Sequence, residues 1–377
     1  LRAFEAQHPG LKVLEELLPA STDQQHQFYV MNLEGQSVAF DLLAVDIIWV
    51  QEFARAGWIE ALDDLLAPRE RDEYFPAALQ AATFEGGLYA MPWYLDAGVL
   101  YYRRDLLERY GFVPPRTWPD LVRMTRAIMD GERDPKLKGF LWQGKQYEGL
   151  VCVALEFIRS NGSDLFADRG SRAEAALRFM RGLIVPEGIT PLLVATADEE
   201  ATRHLFGSGR AIFMRNWPYA WSLLQEEGSR VRGKIGLAPL PSFPGHRSVS
   251  TLGGWMLAIP KRAAHPREAQ ALIRFLTSGE IQREMALRIG YNPSRRSLYQ
   301  DPVLLETRPW MAMLDPVLAE AKPRPISPYY LMLSQLWQPE LSAALVGTKS
   351  ARAALASAHR QMERILALER PEPTGSR

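Results

Sequence analysis

The 377-residue sequence contains one cysteine, Cys152. A single thiol closes no internal disulfide, so cysteine says nothing about the redox compartment. Neither charge is in excess, because Lys plus Arg and Asp plus Glu both number 44. Binding to phosphate backbones or acidic bilayers draws on surplus positive charge, so no nucleic acid is expected among the partners. Six histidines, one cysteine, no H-E-x-x-H and no paired cysteines leave few ligand sets, so no metal site is expected. Long apolar runs are also missing. Even residues 37–50, SVAFDLLAVDIIWV, are interrupted by Asp41 and Asp46 and fall short of the roughly 20 apolar residues of a membrane-spanning helix. No repeat or low-complexity segment stands out, which disfavours solenoids and arrays. Nucleotide loops are lacking too: the nearest approach, FGSGRAIF at 206–213, precedes a strand instead of following one and reads as a turn.

The sequence does offer length, apolar content and alternation. A chain of this size with 47% hydrophobic residues suffices for two domains with cores of their own. LRAFEAQHPG opens the chain as the second half of an amphipathic helix stopped by Pro9 and Gly10. Such a helix is expected to follow an export signal, since removed, and a leading strand that this chain does not contain. KVLEELL (12–18) reads as a strand, 24–35 as a helix, FDLLAVD (40–46) as a buried strand and 47–58 as a helix ending near Gly57. A hairpin is expected to turn at Gly86-Gly87, and 95–107 reads as a strand running into a helix. Thr117 and Pro119 mark a helix start, with Leu121, Met124, Thr125 and Ile128 on one face. Helices also start near Ser171, Pro266 and Gly279, strands cover GRAIFMRN and GGWMLAIP, and a long helix closes the chain before a polar tail from Glu369. This alternation predicts α/β layers with mostly parallel sheets, whose ligands sit beyond the strand ends.

The residues at those ends are carboxylates and aromatics. Asp46 follows one strand, Asp96 interrupts the apolar segment 89–102, Trp217 and Tyr219 follow another strand, and Trp255 follows Gly253-Gly254. A sugar presents apolar C–H faces and a rim of hydroxyls, and is gripped by flat rings together with charged acceptors. Each residue also has a plainer role. Asp46 suits a helix N-cap, the aromatics suit a core, and the glycines suit a turn. Asp96 alone is hard to place inside, because an unpaired buried acid is costly.

Five blocks carry a family likeness: DLLAVDIIWVQEFARAGWIEALDDLL, GGLYAMPWYLDAGVLYYRRDLLERYGFVPPRTWPDL, GRAIFMRNWPYAW, STLGGWMLAIP and KPRPISPYY. In this order, over nearly the whole chain, they resemble the extracellular solute-binding proteins of ABC importers, in particular the maltose- and trehalose-binding branch. The resemblance implies an α/β, two-lobe periplasmic-binding-protein fold with hinge-linked lobes and a ligand cleft between them. Lobe one would comprise 1–95 and 254–297, and lobe two 96–253 and 298–368, with 369–377 a frayed tail. Asp46, Tyr94 and Asp96 would bind sugar hydroxyls, Trp217, Tyr219, Gly254 and Trp255 would close around the rings, and Arg324 would donate to oxygens. Arg324 equally suits a surface ion pair. The implied protein is a monomer without cofactor or catalytic residues. It would take an α-linked disaccharide such as trehalose or maltose outside the cytoplasm, in the periplasm or lipid-anchored at the outer face of the cell membrane, and deliver it to the permease subunits in the membrane. Two rival readings remain. A glycoside hydrolase would use Asp46 and Asp96 as its carboxylate pair. Alternatively, the same fold would take a longer oligosaccharide, a polyol or a glycerol phosphate, although two acids would repel the phosphate.

Overall fold

The computed structural model describes residues 1–19, 22–35, 37–167 and 170–368; the tail expected at 369–377 lies outside them. Its strands are β1 (Leu43–Asp46), β2 (Thr83–Phe84), β3 (Gly87–Leu88), β4 (Met91–Ala97), β5 (Val99–Arg103), β6 (Lys138–Leu141), β7 (Ala211–Asn216), β8 (Ile235–Ala238) and β9 (Leu252–Ala258). Three sheets result among the described residues: β1-β9-β4, the hairpin β2-β3, and β6-β7-β5-β8.

Local chemistry sets many of the element ends. Thr117 Oγ1 accepts from Asp120 N at the start of the Trp118–Glu132 helix, and Leu121, Met124, Thr125 and Ile128 are buried on one face of it. Ser278 caps the Gly279–Arg288 helix in the same manner. The hairpin turns one residue earlier than expected, at Glu85 and Gly86, whose φ values of 47° and 89° match the left-handed pair of a two-residue turn.

Two expectations fail. Residues 12–18 form no strand and join no ladder, and Leu14 and Leu17 are 80% and 89% exposed. Beside them lies an apolar groove of about 1240 Å³, also lined by Leu42, Ala44, Leu257 and Leu272, instead of a partner strand. The apolar pattern of 12–18 favours extension, but a strand exists only through its neighbour's hydrogen bonds. The sheets are also not mostly parallel. β6 pairs with β7 in parallel, whereas β1–β9, β5–β7 and β5–β8 are antiparallel. Parallel neighbours require a crossover connection, and β6 reaches β7 through one that holds the Glu148–Arg159, Ser171–Ile184 and Glu199–Gly207 helices.

The chain folds into two compact units. The first is Leu1–Asp96, Leu252–Asp315 and Ile326–Pro328; the second is Ala97–Thr251, Pro316–Pro325 and Tyr329–Arg377. Leu298, where the third crossing between lobes was expected, lies inside the first unit, which the chain leaves after Asp315. Unit one centres on Val45, Trp49, Phe53, Leu95 and Met256, all almost fully buried. Unit two packs around Trp118, stacked on Phe157 at 4.0 Å, with the apolar Glu148–Arg159 helix in its interior.

Candidate functional site

Unit one brings five of the candidate residues to one end of its three-stranded sheet. Asp46 ends β1 and faces Trp255 directly across the antiparallel ladder to β9. Gly254, next along β9, has φ +137°, and a methyl group there would meet Tyr94 O of β4 at 2.5 Å. Only glycine lets the two backbones approach this closely. Tyr94 and Asp96 are two apart on β4 and so share a face.

Each of these side chains is anchored within the unit. Asp46 Oδ1 accepts from Ile48 N at 3.1 Å, and the helix beyond, Val50–Arg55, takes Trp49 as its N-cap, so Asp46 closes a turn instead of capping a helix. Trp255 meets Trp49 edge to face at 5.7 Å. Tyr94 stacks on Tyr291 at 4.1 Å. Asp96 Oδ1 accepts from Asn292 Nδ2 at 2.7 Å. Burial, then Tyr291 and the negative charges of Asp96 and Asp46, push the Tyr94 hydroxyl well above its ordinary value, so it remains a donor. Asp46, Tyr94, Asp96 and Trp255 are all half-buried. The arrangement can accept hydrogen bonds from hydroxyls, donate one, and offer a flat apolar face.

Unit two holds a second aromatic cluster just beyond β7. Trp217 Nε1 donates to Glu199 Oε1 at 3.2 Å, and the Tyr147 hydroxyl donates to the other oxygen of that carboxylate at 2.5 Å. Tyr219 donates to Glu200 Oε1 at 2.7 Å. Burial, then the bond to Glu200, raises the Tyr219 hydroxyl well above its usual range. Trp217, Tyr219 and Tyr147 are half-buried.

Arg324 is placed differently. It is neither an open donor nor a surface ion pair: its Nη1 donates to Glu148 Oε1 at 3.0 Å, with side-chain exposures of 4% and 12%. Tyr330 and Ser334 donate to the same carboxylate. Burial raises the pKa of Glu148, against the opposing pull of Arg324 and the two hydroxyls. The otherwise apolar Glu148–Arg159 helix that carries this group makes a series of polar contacts inside unit two. One turn on, the Cys152 carbonyl accepts from Thr251 Oγ1. Two turns on, Glu156 pairs with Arg215. At its end Arg159 donates to Pro323 O.

Sequence reasoning passed over Tyr147, Glu199, Tyr291 and Arg215. Tyr147 carries a weak local signal, since it lies just before a helix in the polar stretch QGKQYEG that follows the β6 region. The other three are recognisable only from their spatial neighbours.

The chain compares closely with known proteins. A family model described as "Bacterial extracellular solute-binding protein" matches residues 2–283. A "Probable ABC transporter-binding protein" of Deinococcus radiodurans is 39% identical over 318 residues, covering 82% of this chain and 75% of that protein. A mannitol-binding protein of Pseudomonas aeruginosa is 25% identical over 397 residues, covering 96% and 88%. Among solved structures, maltose-bound MalE3 of T. maritima superposes with a TM-score of 0.90 at 39% identity, covering 97% of this chain and 94% of that one.

Proposed function

Because the chain belongs to the family of bacterial extracellular solute-binding proteins, we propose that it captures a neutral sugar, an α-linked disaccharide such as maltose or trehalose, and hands it to the permease of an ABC importer. Membership makes it a binding protein and not an enzyme, so the hydrolase reading of Asp46 and Asp96 falls. One observation carries the proposal: Asp46 and Trp255 face one another at the end of the unit-one sheet where Tyr94 and Asp96 also lie. Two carboxylates, one phenol held as a donor and one indole suit the hydroxyl rim and C–H face of a pyranose. Trp217 and Tyr219 give unit two a sugar-type surface of its own, with Trp217 as a sugar platform in this reading. The maltose in the T. maritima protein supports a disaccharide.

The role is extracytoplasmic, in the periplasm or at the outer face of the cell membrane, and the binding subunit acts as a monomer. Among the described residues, no helix is long and apolar enough to cross a membrane.

The mannitol-binding relative, alike over 96% of this chain, supports a polyol as the second reading. Calorimetry with maltose, trehalose, sucrose, glucose, maltotriose and mannitol separates the two. Selective heat with an α-linked disaccharide is expected. Selective heat with mannitol would transfer the proposal to polyols, and no heat with any neutral solute would end it.

A further inference from the structure

Trp217 is held by groups of its own unit at both its indole and its backbone. Its Nε1 is tied to Glu199, its backbone N–H donates to Asn216 Oδ1 at 2.8 Å, and its carbonyl accepts from the Tyr101 hydroxyl at 2.9 Å. Beneath one face lies Arg215, with the guanidinium carbon 4.0 Å from the ring centroid. Two positions apart at the end of a strand, the two side chains leave the backbone on the same side.

Arg215 is almost wholly enclosed, at 1% exposure. Its plane is fixed by a two-pronged pairing with Glu156, Nε to Oε2 at 2.8 Å and Nη2 to Oε1 at 2.6 Å, while Nη1 donates to Gln143 Oε1 at 3.1 Å. Glu156 is itself fixed. It accepts from Thr251 N at 3.2 Å and packs so tightly on Gly98 that a methyl group there would collide with both the carboxylate and the guanidinium. A buried ion pair adds little net stability over apolar packing of the same volume, whereas a planar cation locked in position orients whatever ring rests on it.

We infer that Arg215, clamped by Glu156, is a positioning residue that holds the indole of Trp217 in the orientation in which it meets ligand. This rests on the proposed role of Trp217 as a sugar platform. A ring already ordered in the free protein loses less freedom on binding, so the gain appears as affinity.

The test is a double-mutant cycle read by calorimetry with maltose and trehalose. Arg215→Lys keeps the charge and removes the fork and the plane. It is expected to weaken binding about tenfold in the otherwise native chain, and by less than about twofold when Trp217→Leu is already present. Equal losses in both backgrounds, or no loss in the first, would overturn the inference. Near-ultraviolet circular dichroism without sugar reads the ring directly. The signal lost on Trp217→Leu should shrink in Arg215→Lys, and an unchanged signal would also overturn it. If Arg215→Lys does not fold, Glu156→Gln, which loosens the same clamp while keeping its volume, is put through both measurements with the same expected pattern and the same overturning results. Absence of heat with either sugar in the native chain counts against the parent proposal alone, because the dichroism still decides whether Arg215 orders the ring.

Discussion

The two units treat charge in opposite ways. In unit one, the candidate carboxylates are half-buried at the end of a sheet. Asp46 is bonded to a backbone N–H and Asp96 to an amide. In unit two, the carboxylates of the Glu148–Arg159 helix are turned inward onto arginines, with Glu156 on Arg215 and Glu148 on Arg324. The difference separates acceptors held toward solvent from charges used as framework. A carboxylate at a half-buried strand end lies where a hydroxyl arriving from solvent can reach it. One gripped by a guanidinium fork has spent its lone pairs on rigidity.

The largest expected effect tests the framework half of this contrast. Glu156→Ala strands a buried guanidinium and should remove about 3–5 kcal/mol of unfolding free energy in urea titrations. Asp96→Ala should remove about 1 kcal/mol or less by the same measurement. Equal losses would break the contrast.

Gly254→Ala probes the close approach in unit one. The added methyl meets Tyr94 O at 2.5 Å and the backbone sits at φ +137°. A loss of about 1–3 kcal/mol of stability is expected, together with weaker sugar binding. An unchanged melting temperature would show that the two strands can separate without penalty.

Asp96→Ala and Trp255→Ala sharpen the acceptor half. Each should weaken disaccharide binding by about 1–3 kcal/mol in calorimetry, through a lost charge-assisted bond and a lost ring face respectively, with the fold retained. Undiminished affinity in either would remove that residue from the site.

The smallest effect is with pH. Tyr94 and Tyr219 have pKa values raised above the ordinary 10.0, chiefly by burial. Unfolded phenols lose their protons near pH 10 while the folded ones keep theirs, so the unfolded chain binds fewer protons and stability falls as pH rises. Below pH 10 this contribution is fully present. The melting temperature should therefore show no tyrosine-dependent change from pH 6 to 9 and should decline above 10, less steeply in Tyr94→Phe. A decline of equal slope in that variant would exclude Tyr94 as a source.

Much of the fold could be read directly from residues. Thr117 and the periodic Leu121, Met124 and Ile128 mark a helix end and an apolar face through spacings of no more than four residues. The strand cores of 43–46, 211–216 and 252–258 were equally visible, because buried strands have a compact apolar composition. Strand direction was not visible, because it depends on how the chain arrives at a sheet. The segment 12–18 misled because apolar residues signal burial in general, not the presence of a partner. At the site, Asp46, Tyr94, Asp96, Gly254 and Trp255 were named from chemistry and resemblance, and the structure gathers those five at one sheet end. Arg324 was named in the same way and lies on Glu148 instead. Nothing in KPRPISPYY records a carboxylate 176 positions away.

The sequence alone determined the alternation of elements, the supply of aromatics and carboxylates at strand ends, and the five ordered blocks of family likeness, since each is written in neighbouring residues. Tertiary structure alone decided which carboxylate meets which donor: Glu156 with Arg215 across 59 positions, and Asp96 with Asn292 across 196. Local patterns select backbone conformation through short-range sterics and hydrogen bonds. The partner of a side chain depends on which distant segments share its packed volume, and that is fixed only when the whole chain closes on its cores.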